Sequence, residues 1–169
     1  MLGFYENFPE NVHCTETFNS SLSSKKLQER FVQTFYEINT KTYNFEEVSH
    51  PTVPKCSVIF EVGIADSKIF NYIDKEELEK VLKALKKENI QTIDLFCAIR
   101  YYKNIEEKRT PLKFDYYLIR LFFTEKNLEL RAFHERGPRY ISPDDLTTFL
   151  VNKLNDLRLK KILKPVENV

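Results

Sequence analysis

The side chains in this 169-residue sequence that could do nucleophilic, acid–base or metal chemistry are few and scattered. Its three cysteines, Cys14, Cys56 and Cys97, are odd in number and have no Cys-x-x-Cys spacing, which fits neither a disulfide framework nor a zinc site. Cys97 lies in the apolar run "TIDLFCAIRYY" and reads as a small buried hydrophobe. His13, His50 and His134 are the candidate ligands or acid–base groups. His134 stands at a strand end beside Glu135 and Arg136, where a structural or phosphate-contacting role outweighs a catalytic one. No Gly-x-Ser-x-Gly elbow is present. The three glycines, Gly3, Gly63 and Gly137, are too far apart to form a loop whose backbone N–H groups cradle phosphate. The expectation is a protein without metal or cofactor, and more a binder than an enzyme.

One carboxylate pattern stands against that expectation. Asp115 followed by "LELR" (Glu129, Arg131) loosely resembles the Asp…Glu-x-Lys arrangement of metal-dependent, restriction-type nucleases. Arg stands where that pattern has Lys, and strand alternation sends Asp115 and Glu129 to opposite faces. Asp144 and Asp145 look like a metal pair, but they open a helix, where they complement its dipole.

Aromatic and arginine residues carry a stronger signal. Residues 114–140, "FDYYLIRLFFTEKNLELRAFHERGPRY", read as two strands joined by the turn "TEKN", with Phe123 opposite Leu128. Alternation then places Tyr117, Ile119, Leu121 and Phe123 on a core face with Leu128, Leu130, Ala132 and His134. The strand 92–102 divides in the same way. The second face of this three-strand unit presents Phe96, Arg100, Tyr102, Tyr116, Arg120, Phe122, Arg131 and Phe133, with Arg136 and Arg139 at its border. Lys103, Lys108, Arg109 and Lys113 lie around it, in or beside the long hairpin loop "KNIEEKRTPLK". Aromatic faces stack on bases and Arg neutralises phosphates, so this composition suits single-stranded DNA or RNA. Two other fates are open to the same face. It could dock a protein partner or a second copy of the chain, since Tyr, Phe and Arg dominate interface hot spots. Or it could be sealed by the N-terminal segment (Phe4, Tyr5, Phe8) or a helix, with each Arg paired to a carboxylate such as Glu129 or Glu135.

The elements that position these residues are legible from periodicity. A strand at 12–18 precedes a helix capped by Ser23 or Ser24, with Leu27, Phe31, Phe35 and Ile38 in its stripe. Strands follow at 42–48 and 56–64, separated by a turn at "HPTVP" (50–54). Asp74 and Glu77 form a capping box for a second helix, with Ile73 stapling onto Leu78 and Val81, Leu82 and Leu85 along the stripe. After the three-strand unit, Ser142-Pro143 opens a last helix whose apolar face is Leu146, Phe149, Leu150, Leu154 and Leu157. It ends on Arg158, Lys160, Lys161 and Lys164. One apolar stripe per helix implies helices lying on one side of a sheet. The expected fold is a single α+β domain over 1–169: an antiparallel sheet packed in two layers against about three helices. It has a βαββαβ start in the order of ferredoxin-like domains, with an added ββα.

Size and charge agree with a folded binder. A chain of this length buries about 70% of its unfolded surface. The 14% aromatic share offsets a charged fraction of 30%. Residues 1–96 carry 11 Lys/Arg against 15 Asp/Glu, whereas residues 97–169 carry 15 against 10. The positive half is the one that bears the aromatic face, which suits an anionic partner. No apolar run reaches the roughly 18 residues that span a bilayer, and no basic leader opens the chain, so a cytoplasmic protein is expected.

Overall fold

Period-two apolar patterns in long β-rich stretches dictate one large sheet, and the three amphipathic segments have its single apolar face to cover. A computed structural model describes residues 1–50, 55–156 and 161–166. In chain order it contains β1 (Cys14–Ser20), α1 (Ser24–Asn39), β2 (Thr42–Asn44), a 3₁₀ turn (Phe45–Glu47), β3 (Cys56–Asp66) and β4 (Ile69–Tyr72). Then come α2 (Lys75–Lys87), β5 (Thr92–Ile105), β6 (Lys108–Pro111), β7 (Asp115–Phe123), β8 (Asn127–Arg136), α3 (Pro143–Asn155) and β9 (Leu163–Pro165). The nine strands form one sheet in the order β2-β3-β5-β7-β8-β1-β9, with β4 added to β3 and β6 to β5. Every pairing of these strands is antiparallel. The α+β, two-layer architecture read from the sequence is present. In space, β1 pairs with β8, far from β3.

The three helices cover the face that carries Val58, Phe60 and Val62 of β3, Leu95 to Tyr101 at odd positions of β5, and Tyr117 to Phe123 at odd positions of β7. Large rings knit the layers: Phe31 of α1 meets Phe123 edge-on, and Phe149 of α3 stacks on Phe60 at 5.2 Å. The expected stripes of α1 and α3 are buried through Leu154; Leu157 lies outside the described residues. In α2, Val81 and Leu85 are buried, while Leu78 and Leu82 are half-buried. All three N-caps form, but the capping box read at Asp74 and Glu77 is only half made, since the Glu77 carboxylate accepts from Asn71 at 3.4 Å instead of from Asp74 N–H. Ser23, Asp74 and Ser142 accept bonds from the N–H groups of Lys26, Glu77 and Asp145.

Along β3 the partners change in a way the sequence did not announce. On one side lie β2, then the Asn39 side chain, then β4. Asn39 takes the place of a strand: its amide accepts from Val62 N–H at 2.8 Å and donates to Val62 C=O at 2.9 Å and Ile73 C=O at 3.1 Å. On the other side β5 stops pairing at Val62, and residues 2–5 of the N-terminal segment fill the gap. Gly3 N–H donates to Ala65 C=O at 2.7 Å, and Asp94 N–H donates to Gly3 C=O at 2.6 Å. Gly3 has φ +87°, and an added Cβ would come within 2.5 Å of Thr92 C=O, so this crossing needs glycine.

Some expectations change. The strand read at 42–48 ends at Asn44, and Phe45–Glu47 turn as a 3₁₀ segment in which Glu47 bonds back to Asn44 N–H at 2.7 Å. The turn read at 50–54 falls largely outside the described residues, as do Arg158 and Lys160. The long loop read at 103–113 is instead a ribbon: β5 runs on to Ile105 and returns as β6 through a two-residue turn at Glu106-Glu107. Both turn residues sit at positive φ, +49° and +64°, as a type I′ turn requires and as glutamate resists. Replacing the pair with Glu106→Asn and Glu107→Gly is expected to raise stability by about 1 kcal/mol in urea denaturation, because the strain disappears while the ribbon register is kept.

Candidate functional site

The sheet face opposite the helices is built by even residues of β5 and β7. On β5 these are Asp94, Phe96, Ala98, Arg100 and Tyr102, and on β7 Tyr116, Leu118, Arg120 and Phe122. The hairpin register matches the sequence, with Phe123 opposite Leu128, and β5 joins it with Phe96 opposite Leu118. A fully buried carboxylate governs the middle of this face. Asp94 has no solvent exposure and is gripped by Arg120 through Nε at 2.7 Å and Nη2 at 2.8 Å. Tyr5 N–H donates to the same carboxylate at 2.8 Å, and Arg120 returns a bond to Tyr5 C=O. The Phe8 and Phe4 rings lie over the guanidinium at 4.4 and 5.2 Å. The N-terminal segment therefore roofs Arg120, whose side chain stays 22% exposed but whose charge is committed to Asp94 rather than to phosphate as the sequence suggested.

Two other arginines are also paired. Arg100 bonds Glu61 on β3 at 2.6 Å, and Arg131 bonds Glu129 two residues away at 2.6 Å. Glu61 is the partner that alternation alone did not supply.

Either side of the N-terminal strap, aromatic rings stay half-buried. Tyr5, Phe70, Phe96, Tyr116 and Phe114 form a continuous row, with ring centroids 4.8, 5.6, 5.8 and 6.1 Å apart. Alternation places Phe96 and Tyr116 in it but not Phe70 and Phe114, because β4 is too short to show a period and Phe114 precedes β7. Tyr102 lies farther along β5, under the Arg109 guanidinium at 3.9 Å. Phe133 is separated from the row and stacks on His13 at 4.8 Å. Phe122 is half-buried opposite Thr92 and Glu129, away from the other rings.

A β-bulge decides where Arg136 goes. β8 pairs His134 with Tyr117 but Arg136 with Tyr116, so Glu135 is extra. Strict alternation would leave Glu135 on the aromatic face. The bulge delivers Arg136 there instead, 4.5 Å over the Tyr116 ring, exchanging a negative group for a positive one. Arg139 sits in the following loop rather than on the sheet, at φ +61°.

That loop is held from the helix side by Asp115, also fully buried. Its Oδ1 meets His134 Nε2 at 2.8 Å and Arg139 N–H at 2.6 Å; its Oδ2 accepts from Tyr101 Oη at 2.7 Å and Tyr140 N–H at 2.9 Å. Four bonds occupy the four acceptor sites of a carboxylate, which takes Asp115 out of any nuclease-like arrangement with Glu129. Gly137 allows this approach, since a Cβ there would lie 2.6 Å from Asp115 Oδ1. Burial first, then the neighbouring Tyr117 and Asp115 groups, pushes the Tyr101 hydroxyl well above the ordinary phenol range, and burial followed by Asp115 does the same to Tyr117. Burial first, then the Asp144 carboxylate, pushes the Cys14 thiol up to about 12, and burial also raises Cys56 and Cys97. No thiol is set up as a nucleophile at neutral pH.

Positive charge gathers where β5 and β8 end and β7 begins. Lys103, Lys108, Arg109, Lys113, Arg136 and Arg139 are exposed there, and among the described residues none makes an ion pair. No described helix is long and apolar enough to cross a membrane. Set against protein-family models, curated proteins and solved structures, the chain matches none.

Two measurements check this geometry. Asp94→Ala is expected to cost about 3 kcal/mol in urea denaturation by stranding Arg120, and Asp94→Leu with Arg120→Met to recover at least half of that. The second concerns His13, whose Nδ1 accepts from His134 N–H at 2.9 Å. Partial burial, then Arg139 and His134, hold its pKa below the ordinary 6.5. A depressed histidine pKa leaves stability complete above pH 6.5 and erodes it as pH falls towards the folded-state value. His13→Phe, which keeps the stack on Phe133, is expected to lose less stability than the parent between about pH 7.5 and pH 5.

Proposed function

We propose that this protein binds single-stranded nucleic acid, without catalysing a reaction, along the aromatic row and its cationic end. The observation that carries this reading is the Phe70–Phe96–Tyr116–Phe114 row running into Arg136, which the bulge in β8 turns onto that face. The rings are half-buried rather than sealed, a base would take the place of the guanidinium now over Tyr102 or Tyr116, and stacking contributes on the order of 1–3 kcal/mol per base. Phe96, Tyr116 and Tyr102 would stack on bases. Arg136, Arg139, Arg109 and Lys103 would meet phosphates. Arg100 and Arg131, already neutralised by Glu61 and Glu129, would support neighbouring rings rather than add charge. Arg120 belongs to the strap and is left out of the contact set.

Those internal ion pairs favour a second reading, in which the same rings dock a protein partner. A face whose charges are already matched within the chain costs less to desolvate against another protein surface.

Salt separates the two. A fluorescence-anisotropy titration with a mixed-sequence single-stranded oligonucleotide, in DNA and RNA forms, is expected to show binding that weakens steeply as salt rises. Phe96→Ala and Tyr116→Ala should each weaken it by about tenfold, and Arg136→Ala should lower the salt slope by about 0.7. Absence of binding at micromolar protein in low salt would remove nucleic acid and leave the protein-docking face.

A further inference from the structure

We propose that strand β4 is a dimerisation edge, pairing antiparallel with β4 of a second copy of this chain. Ile73 N–H donates to Val62 C=O, and Ile73 C=O accepts from Asn39, so the backbone groups of Ile73 face β3. By alternation those of Asn71 and Ile69 face β3 too, and those of Phe70 and Tyr72 turn outward to an edge that no described strand pairs, where Tyr72 C=O takes a local bond from Asp74 N–H at 3.1 Å and keeps its second lone pair. This edge is apolar and open: Ile69 is 59% and Tyr72 48% exposed. Proteins normally blunt such edges with charge, proline or short length. β6 has Lys108, Arg109 and Pro111, β9 has Lys164 and Pro165, and β2 has three residues. β4, "IFNY", has neither charge nor proline.

The flanking residues select a register. If Asn71 lies on the two-fold axis, Phe70 and Tyr72 exchange backbone hydrogen bonds with Tyr72 and Phe70 of the second copy. Lys68 then lies opposite Asp74, so two attractive charge pairs close the seam. The axis is perpendicular to the sheet, which leaves both aromatic faces on one side. Phe70, the last strand-borne ring of the row, lies at the junction, so two rows meet. A four-residue edge is a small interface, and the dimer is expected to be weak and concentration-dependent. It stands on the edge itself, whatever the aromatic row binds.

In this register Asn71 faces its own copy in a narrow, non-hydrogen-bonded pair, about 4.5 Å between Cα atoms, which a disulfide can bridge. The native cysteines are buried and do not compete. With a mild oxidant and no nucleic acid present, Asn71→Cys is expected to form covalent dimer at least about tenfold faster than the more exposed control Ile69→Cys. Sedimentation of the unmodified chain should show an average mass rising from 20.2 kDa towards twice that value. The rise should come by roughly 100 µM chain. Lys68→Glu, which sets like charges across the seam, should hold the mass at the monomer value with an unchanged circular-dichroism spectrum. Equal oxidation rates for the two cysteine variants, or a monomer mass at every concentration, would overturn the dimer. Neither result bears on nucleic-acid binding, which the anisotropy titration reads separately.

Discussion

A carboxylate placed on what would otherwise be the wet side of the sheet shapes much of this molecule. Asp94 cannot stay charged and buried without full compensation, and it receives two guanidinium bonds from Arg120 and a backbone bond from Tyr5. Meeting that demand brings the N-terminal segment across β5 and β7, where Phe4 and Phe8 roof the guanidinium. The same crossing completes the backbone pairing of β3 and β5 where those strands part, through Gly3. One ion pair thus explains why the aromatic face is interrupted: the strap takes the Asp94–Arg120 row, with Phe96, Tyr116 and Phe133 towards one end of the strands and Phe122 towards the other. It also explains why the central arginine is structural while those at the sheet end stay free.

A second buried carboxylate acts from the other side. Asp115 collects the loop after β8 and His134 from within the helix-covered layer. The bulge at Glu135 lies between His134, held by Asp115, and Arg136, resting on Tyr116. The inner carboxylate and the outer cation–ring contact therefore bracket the same irregularity, and each favours the register that suits the other. Bulges lower pairing regularity, so a persistent one needs such contacts on both sides.

Much of this was readable from the chain. Helix stripes at Leu27–Ile38 and Leu146–Leu154, the three caps, and the Phe123–Leu128 register all follow local rules of period and capping, which act over a few residues. Strand alternation also sorted Phe96, Arg100, Tyr116 and Arg131 correctly onto one face. What escaped was non-local or irregular. β4 and β6 are four residues each, too short for a period to declare itself, although a two-residue turn precedes each. β9 is three residues paired with β1, where Asn155 also holds the returning chain at Ile162 and Leu163. Asp94 carried a faint signal, a lone acid within an apolar strand. Its partner was one of several arginines on that face, and only the strap singles out Arg120. The bulge had no signal at all, since Glu135 and Arg136 are equally plausible on either side of a strand end.

Asn39 has a consequence for the lifetime of the folded chain. One side-chain amide bridges the last turn of α1 to β3 and to the residue that follows β4. Slow hydrolysis of that amide to a carboxylate, a common form of chemical ageing, would replace the donor by an anion facing two carbonyl oxygens. The seam between helix and sheet edge would then repel itself, and wear in this molecule would begin at a single nitrogen atom.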